Sequence, residues 1–153
     1  MKEITGKLSA QGMKAAIVAS RFNSFLVEQL VKGAEDAFTR MGGAANALTL
    51  VRVPGANELP AVAQKLAVSK KFDAIVCVGA VVQGATPHAA LINETCARAL
   101  SQIALETGVP VLNGVVAADN LEQAVERCGT KQGNKGFATM QAAIELVDVL
   151  KQI

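Results

Sequence analysis

The sequence DAIVCVGAVVQGATPH, residues 73–88, joins an apolar run to a glycine-punctuated turn that carries the only histidine of the chain, His88. The run from Asp73 to Gly79 has the length and β-branched content of a strand that is buried on both faces. Helical spacing follows Pro87, so the turn is expected to join the carboxyl end of a strand to the start of a helix. In a parallel α/β sheet, ligands bind at such turns.

The last residues of this turn have the signature of a helix N-terminus. Thr86 is an expected N-cap and Pro87 suits the first helical position, which places His88 in the first turn. The unpaired backbone N–H groups of a helix N-terminus form a site for an anion. We therefore expect a place where a phosphate and an imidazole can lie side by side.

The same alternation of strand and helix is predicted along the rest of the chain. Apolar runs at Lys14–Ser20, Ala47–Val53 and Pro110–Ala117 indicate three further buried strands. Helical spacing is found after each strand and predicts five helices. The first ends at Gly42-Gly43, the second spans Leu59–Leu66, and the third ends at about Thr107. The fourth runs from a cap at Asp119-Asn120 to about Cys128, and the fifth spans Phe137–Leu150. This alternation predicts a three-layer α/β/α sandwich with a four-stranded parallel, flavodoxin-like sheet in a single domain, residues 1–153.

The amino-terminal residues are polar and glycine-spaced, with a short strand expected around Ile4–Leu8. A lone strand at a terminus needs a sheet edge to pair with, and another subunit can supply it. The amino end lacks the apolar core of a secretion signal, and no apolar run reaches the roughly 18 residues of a membrane span. We therefore expect a cytoplasmic protein with no membrane contact.

Composition excludes several classes of function. A net charge of +2 without a clustered basic tract gives little electrostatic attraction for nucleic acid. Cys77, Cys96 and Cys128 are widely spaced and fit neither a zinc site nor a disulfide framework, so we expect reduced core residues and no metal. The chain has neither GxxxxGK[ST] nor GxGxxG after a strand, the glycine-rich loops that bind the phosphates of nucleotide triphosphates and dinucleotides, so these two classes of ligand are not expected. The partners should be small molecules or copies of the chain itself.

Polar or unusual residues follow the predicted strands, and we expect them to meet at one edge of the sheet. They are Arg21-Phe22-Asn23, Gly55-Ala56-Asn57-Glu58, Gln83 to His88, and Asn113 within the fourth strand. Each also has a simpler structural explanation. Phe22 can staple the following helix, Glu58 can complement a helix dipole, and His88 can be a solvated first-turn residue. Arg127, beside the glycine-rich loop 129–136, either completes a helix end or binds a phosphate with its guanidinium.

Four motifs in order carry a resemblance to a known family. They are SRFN after the first strand, VPGANELP after the second, GAVVQGATPH after the third, and ERCGTKQGNKG before the last helix. Together they resemble the 6,7-dimethyl-8-ribityllumazine synthases of riboflavin biosynthesis. This resemblance implies a transferase that condenses 5-amino-6-(D-ribitylamino)uracil with 3,4-dihydroxy-2-butanone 4-phosphate, releasing phosphate and water without a cofactor.

The resemblance also implies roles for individual residues. His88 would move protons, Phe22 would stack on the pyrimidine, and Arg127 would bind the phosphate from a neighbouring cavity wall. The other implied contacts are Ala56, Asn57 and Glu58 to the ribityl chain, Ala80, Val81 and Val82 to the pyrimidine edge, and Ala85 and Thr86 to the phosphate. An imidazole at this position can accept a proton near pH 7 and return it.

The chain departs from the family pattern around the implied pyrimidine site. Asn113 and Ala89 stand where the family often has aromatic residues, Ala80 replaces a common threonine, and Pro87 is atypical. The alternative function is therefore a non-catalytic relative that binds lumazine or flavin, or forms a shell. The resemblance implies a pentamer, and the short loop before the last helix favours a 60-subunit icosahedral capsid, with riboflavin synthase as an expected partner.

Overall fold

A computed structural model describes residues 1–84, 87–129 and 133–153 of the chain. Within these residues, four parallel strands form one sheet in the order β2-β1-β3-β4. The strands are β1 (Ala15–Ser20), β2 (Leu48–Val53), β3 (Ala74–Val82) and β4 (Val111–Ala118). This order is the flavodoxin-like one, so the predicted fold class is confirmed.

Helices cover both faces of the sheet. They are α1 (Ser24–Arg40), α2 (Leu59–Val68), α3 (His88–Thr107), α4 (Leu121–Arg127) and α5 (Lys135–Gln152). One core cluster packs α1 and α5 against the sheet, and the other packs α2 and α3 against the opposite face. Among the described residues, no helix has both the length and the apolar character needed to cross a membrane.

The two central strands are buried as their composition predicts. All residues of β1 and the first seven of β3 are buried. Cys77, Cys96 and Cys128 are buried free thiols, which confirms them as core residues. Burial disfavours the charged thiolate and raises the pKa of Cys128 to about 11, so this thiol stays protonated at neutral pH.

Strand β3 is longer than the sequence predicts. The expected strand ended at Gly79, whereas β3 continues to Val82, so Ala80–Val82 belong to the strand and not to the turn. The reason is tertiary, because Gly79–Val82 pair in register with Val115–Ala118 of β4. The other strand boundaries agree with the expected ones to within one residue.

The start of α3 also differs from the expectation. The helix begins at His88, and Pro87, expected at the first helical position, occupies the cap position with a ψ of 12°. Proline thus precedes the helix instead of opening it. The expected cap residue, Thr86, lies outside the described residues, as does Ala85.

The amino-terminal segment does not form a strand within the single chain. Residues 1–9 carry no strand pairing and lie along α5, where Asp148 accepts a hydrogen bond from the Lys7 N–H at 2.8 Å. The Gln152 side chain donates to the Thr5 carbonyl at 2.8 Å. The expected strand at Ile4–Leu8 therefore lacks a sheet edge in its own chain, and its pairing with another subunit stays a prediction.

Candidate active site

A cavity of about 350 Å³ lies at the carboxyl ends of β1, β2 and β3, on the face covered by α2 and α3. The adjacent central strands β1 and β3 send their chains in opposite directions across the sheet, and this switch point is where doubly wound folds bind ligands. The cavity is lined by Ser20, Phe22, Asn23, Gly55, Ala56, Asn57, Glu58, Ala80, Val81, Val82, Gly84, His88, Ala89 and Ile92.

Phe22 stands at this cavity with 72% of its surface exposed. Its backbone N–H donates to the Pro54 carbonyl at 3.1 Å, and the N–H of Arg21 donates to the Val53 carbonyl at 2.8 Å. These bonds tie the end of β1 to the end of β2. Because the ring is so exposed, it does not act as a buried staple for α1, and one face is available to a planar ligand.

Asn23 connects the Phe22 turn to β3. Its backbone is left-handed, with φ 58° and ψ 45°, a conformation that asparagine tolerates better than most residues. Asn23 stands at the N-cap position of α1, but its side chain does not cap the helix; Nδ2 donates to the Ala80 carbonyl at 2.9 Å. Phe22 is thereby held in a fixed relation to the end of β3.

The second wall of the cavity is a 3₁₀ turn, Ala56–Glu58, that leads directly into α2. Ala56 is buried in the core, whereas Asn57 and Glu58 are exposed. Glu58 occupies the N-cap position of α2, so its carboxylate can complement the helix dipole and still accept hydrogen bonds from a ligand in the cavity. The position of Glu58 is therefore compatible with both predicted roles, a complement to the helix dipole and a hydrogen-bond acceptor for a ligand.

The third wall is the end of β3. The pairing of β1 with β3 stops at Ala19 and Val78, whereas β3 stays paired with β4 up to Val82. On the β1 side, Ala80–Val82 therefore have no strand partner, although the Ala80 carbonyl accepts the hydrogen bond from Asn23. The remaining backbone groups on this side can face the edge of a heterocycle.

His88, the first residue of α3, lies at the fourth side of the cavity and is exposed. The next residue, Ala89, is buried and also lines the cavity, so the small side chain leaves room beside the imidazole. Among the described residues, no group of His, Cys, Asp and Glu side chains is arranged to hold a metal ion.

Asn113 and Arg127 do not line the cavity of their own chain. Asn113 is an exposed residue opposite Cys77 in the middle of the sheet, below the edge where it was expected, and its Oδ1 accepts a hydrogen bond from the Val115 N–H at 3.0 Å. Arg127, the last residue of α4, donates to the Ala117 carbonyl at 2.6 Å. Asn113 lies on β4, and the Arg127 side chain bonds to β4, which is the edge strand on the far side of β3 from β1.

Lys135 is a further cation on this edge that the sequence did not assign to the site. Its Nζ donates to the Val115 carbonyl at 2.9 Å, two residues before the carbonyl that Arg127 occupies. Burial of the amine, and then the nearby charge of Arg127, lower the pKa of Lys135. Asn113, Lys135 and Arg127 therefore form one polar strip, here called the β4 strip.

The fold and the cavity define a flavodoxin-like α/β protein with a small-molecule site at the switch point of its sheet. Comparison with known proteins specifies the family. The sequence profile of the family described as 6,7-dimethyl-8-ribityllumazine synthase matches residues 12–151. The chain belongs to this family.

Three relatives named 6,7-dimethyl-8-ribityllumazine synthase are similar over nearly their full length. The protein of Syntrophus aciditrophicus (strain SB) is 50% identical over 148 residues, which cover 97% of this chain and 96% of the relative. Those of Chlorobaculum parvum and Chlorobaculum tepidum are each 46% identical over 153 residues, covering 100% of this chain and 98% and 99% of the relatives.

Proposed function

We propose that this protein condenses 5-amino-6-(D-ribitylamino)uracil with 3,4-dihydroxy-2-butanone 4-phosphate to give 6,7-dimethyl-8-ribityllumazine, phosphate and water. The observation that carries the proposal is the cavity itself, which brings together residues that the family resemblance assigns to this reaction: Phe22, Ala56–Glu58, Ala80–Val82 and His88. No feature of the described residues favours a non-catalytic relative.

Binding of the pyrimidine substrate follows from the three walls of the cavity. The exposed ring of Phe22 offers a stacking surface for a flat heterocycle. The open side of Ala80–Val82 offers backbone groups to its edge, and Asn57 and Glu58 offer an amide and a carboxylate to the ribityl hydroxyls. Holding both substrates in one cavity converts a bimolecular reaction into an effectively unimolecular one.

His88 is the proposed acid and base. When the amine attacks the ketone, a proton must leave the nitrogen and a hydroxyl must depart as water. An imidazole can take the first proton and return one to the leaving oxygen, and it can do so again during phosphate elimination and ring closure. His88 lines the cavity as the first residue of α3, within the helical turn that favours an anion.

The phosphate is assigned to Ala85 and Thr86, which lie outside the described residues, and to Arg127. Arg127 does not line the cavity of its own chain, because its guanidinium donates to a carbonyl of β4 and not to a cavity residue. We infer that the β4 strip completes the cavity of a neighbouring copy. In that arrangement Asn113 would contribute to the second side of the pyrimidine site.

The two edges of the sheet differ in a way that supports assembly through β2. On β4, the outward carbonyls of Val115 and Ala117 already accept hydrogen bonds from Lys135 and Arg127. Strand β2 is the other edge, and its outer side is open. An open edge is a template for another strand, and residues 1–9 carry no strand pairing in their own chain. We propose that this segment pairs with β2 of a neighbour in a pentamer.

The finer features of the assembly rest on the family. We propose that pentamers close into the 60-subunit shell, in keeping with the short loop before α5, and that the protein acts in the cytoplasm. Riboflavin synthase, which uses the lumazine, is the proposed partner enzyme.

Mixed assemblies test the activity and the shared cavity together. His88→Ala and Arg127→Ala, each inactive or slow alone, are unfolded, mixed in equal amounts and reassembled. If each cavity takes His88 from one copy and Arg127 from the next, about a quarter of the cavities regain both residues. Activity should recover to a similar fraction of the wild type, measured by formation of the fluorescent lumazine.

The matched control mixes His88→Ala with Phe22→Ala, two changes within the same part of the cavity. No cavity can then regain both residues, so activity should stay low. Equal recovery in both mixtures would contradict the shared cavity. A wild-type protein that does not consume both substrates would contradict the proposed reaction itself.

A further inference from the structure

Ser20 is a buried polar residue whose hydroxyl has no hydrogen-bond partner among the described residues. Of the described residues, two polar ones are buried in the core, Ser20 with 2% of its surface exposed and Thr139 with 9%. The Thr139 hydroxyl donates to the Lys135 carbonyl at 2.6 Å. The Ser20 hydroxyl makes no hydrogen bond to any residue in the described ranges, yet no fully buried side-chain oxygen or nitrogen among these residues lacks a partner. The Ser20 oxygen therefore keeps a small accessible surface, and Ser20 lines the cavity.

The position of Ser20 shows what its hydroxyl faces. It is the last residue of β1 and lies on the same side of the strand as Ala16 and Val18, toward α2 and α3. It lines the floor of the cavity between the ends of β1 and β3. The hydroxyl is thus directed into the space assigned to the substrates.

Gly79 keeps this hydroxyl accessible. A Cβ at Gly79 would lie 2.8 Å from the Ser20 Oγ and 3.7 Å from the Leu59 side chain. Any side chain at this position on β3 would therefore crowd the hydroxyl and fill the floor. The absence of a side chain next to Ser20 leaves a small open space with one neutral polar group at its base.

The surroundings select the kind of group that this hydroxyl can bind. Apart from His88, the described lining of the cavity contains no side chain that can be positively charged, and it includes the carboxylate of Glu58. A phosphate would find no compensating charge on the floor. A neutral hydroxyl or carbonyl suits a serine, which can both donate and accept a hydrogen bond.

We propose that the Ser20 hydroxyl is a substrate-binding group that hydrogen-bonds the ribityl-pyrimidine substrate, and not the butanone phosphate. This inference rests on the proposed function. It adds a polar contact at the floor of the cavity to those on its walls, and it explains why an unpaired hydroxyl is kept at the end of an otherwise apolar strand.

The test is Ser20→Ala, which removes one oxygen and keeps the strand intact. Affinity for 6,7-dimethyl-8-ribityllumazine, followed by the ligand's own fluorescence, should weaken by about 2- to 10-fold, the usual effect of one neutral hydrogen bond. The KM for the butanone phosphate should not change. Because no protein hydrogen bond is lost, the Tm should stay the same or rise.

Thr139→Val is the matched control, because it removes the other buried hydroxyl, which is paired. It should lower the Tm and leave lumazine affinity unchanged. Unchanged affinity in Ser20→Ala, or a loss of Tm equal to that of Thr139→Val, would overturn the inference while wild-type turnover upholds the proposed function. A wild-type protein that binds neither lumazine nor the pyrimidine would overturn both.

Discussion

At the scale of single residues, His88 combines exposure with a position at the mouth of the cavity. Its side chain makes no hydrogen bond within the described part of the chain, so replacing the imidazole should leave the fold intact. We expect His88→Ala to lower kcat by about 100-fold or more, because a positioned acid and base is replaced only in part by water or buffer. The measurement is kcat together with Tm, and an unchanged kcat would contradict the proposed role.

Arg127 provides a second test at this scale. We expect Arg127→Ala to raise the KM for the butanone phosphate far more than the KM for the pyrimidine. Arg127→Lys should recover little, because a point charge does not reproduce the two parallel hydrogen bonds of a guanidinium. Arg40, an exposed arginine paired with Asp36 on α1, is the control, and Arg40→Ala should change neither KM. Equal effects of Arg127→Ala on both substrates would indicate a structural role.

At the scale of elements, two asparagines cap helices with different numbers of contacts. Asn120 caps α4 by accepting a hydrogen bond from the Gln123 N–H at 2.9 Å. Asn134 caps α5 in the same way, from the Phe137 N–H at 3.0 Å. Its Nδ2 also donates to the carbonyls of Gln29 at 2.8 Å and Cys128 at 3.3 Å. Asn134 therefore joins α1, the end of α4 and the start of α5.

This difference predicts opposite responses to one conservative change. Asn120→Asp keeps the cap and adds a favourable charge at a helix N-terminus, so stability should hold or rise slightly. Asn134→Asp keeps the cap but replaces the donor by a charge that faces two carbonyls, and should cost about 1–3 kcal/mol. Urea unfolding at one protein concentration measures both. Similar stabilities of the two variants would contradict the joining role of Asn134.

At the scale of the whole molecule, assembly depends on the amino-terminal segment. Removing residues 1–9 should weaken the oligomer while the fold is kept, because the segment is mostly exposed and makes two described hydrogen bonds to α5. The truncation stops before Ala10, which is buried and bonds to the Met41 carbonyl. Sedimentation velocity should report smaller species at a given concentration.

A variant of full length separates pairing from mere loss of residues. Thr5→Pro should also weaken association, because proline cannot donate a hydrogen bond to a neighbouring strand. An intact chain that sediments as a monomer, or a truncated chain that associates like the intact one, would contradict both the strand pairing and the shared cavity.

The fold could be predicted from the sequence because the patterns that indicate strands and helices are local. A strand buried on both faces is a continuous apolar run, as in Lys14–Ser20 and Asp73–Gly79, and each helix has its own periodicity. Alternation of the two leaves few topologies, since crossovers are right-handed and short. The side chains that directly follow β1 and β2, and His88 at the start of α3, could likewise be placed at one edge.

Pairing between strands determined the features that local sequence patterns do not predict: the length of β3, the position of Asn113 and the identity of the edge strands. The extension of β3 to Val82 and the distance of Asn113 from the cavity follow from the register of β3 with β4, in which Asn113 lies opposite Cys77. That β4 is an edge strand, with its carbonyls bonded to Arg127 and Lys135, also depends on strand order. Register and order are set by contacts between residues far apart in the chain, so no spacing within one segment encodes them. The unpaired hydroxyl of Ser20 beside Gly79 is recognisable for the same reason only in the folded sheet.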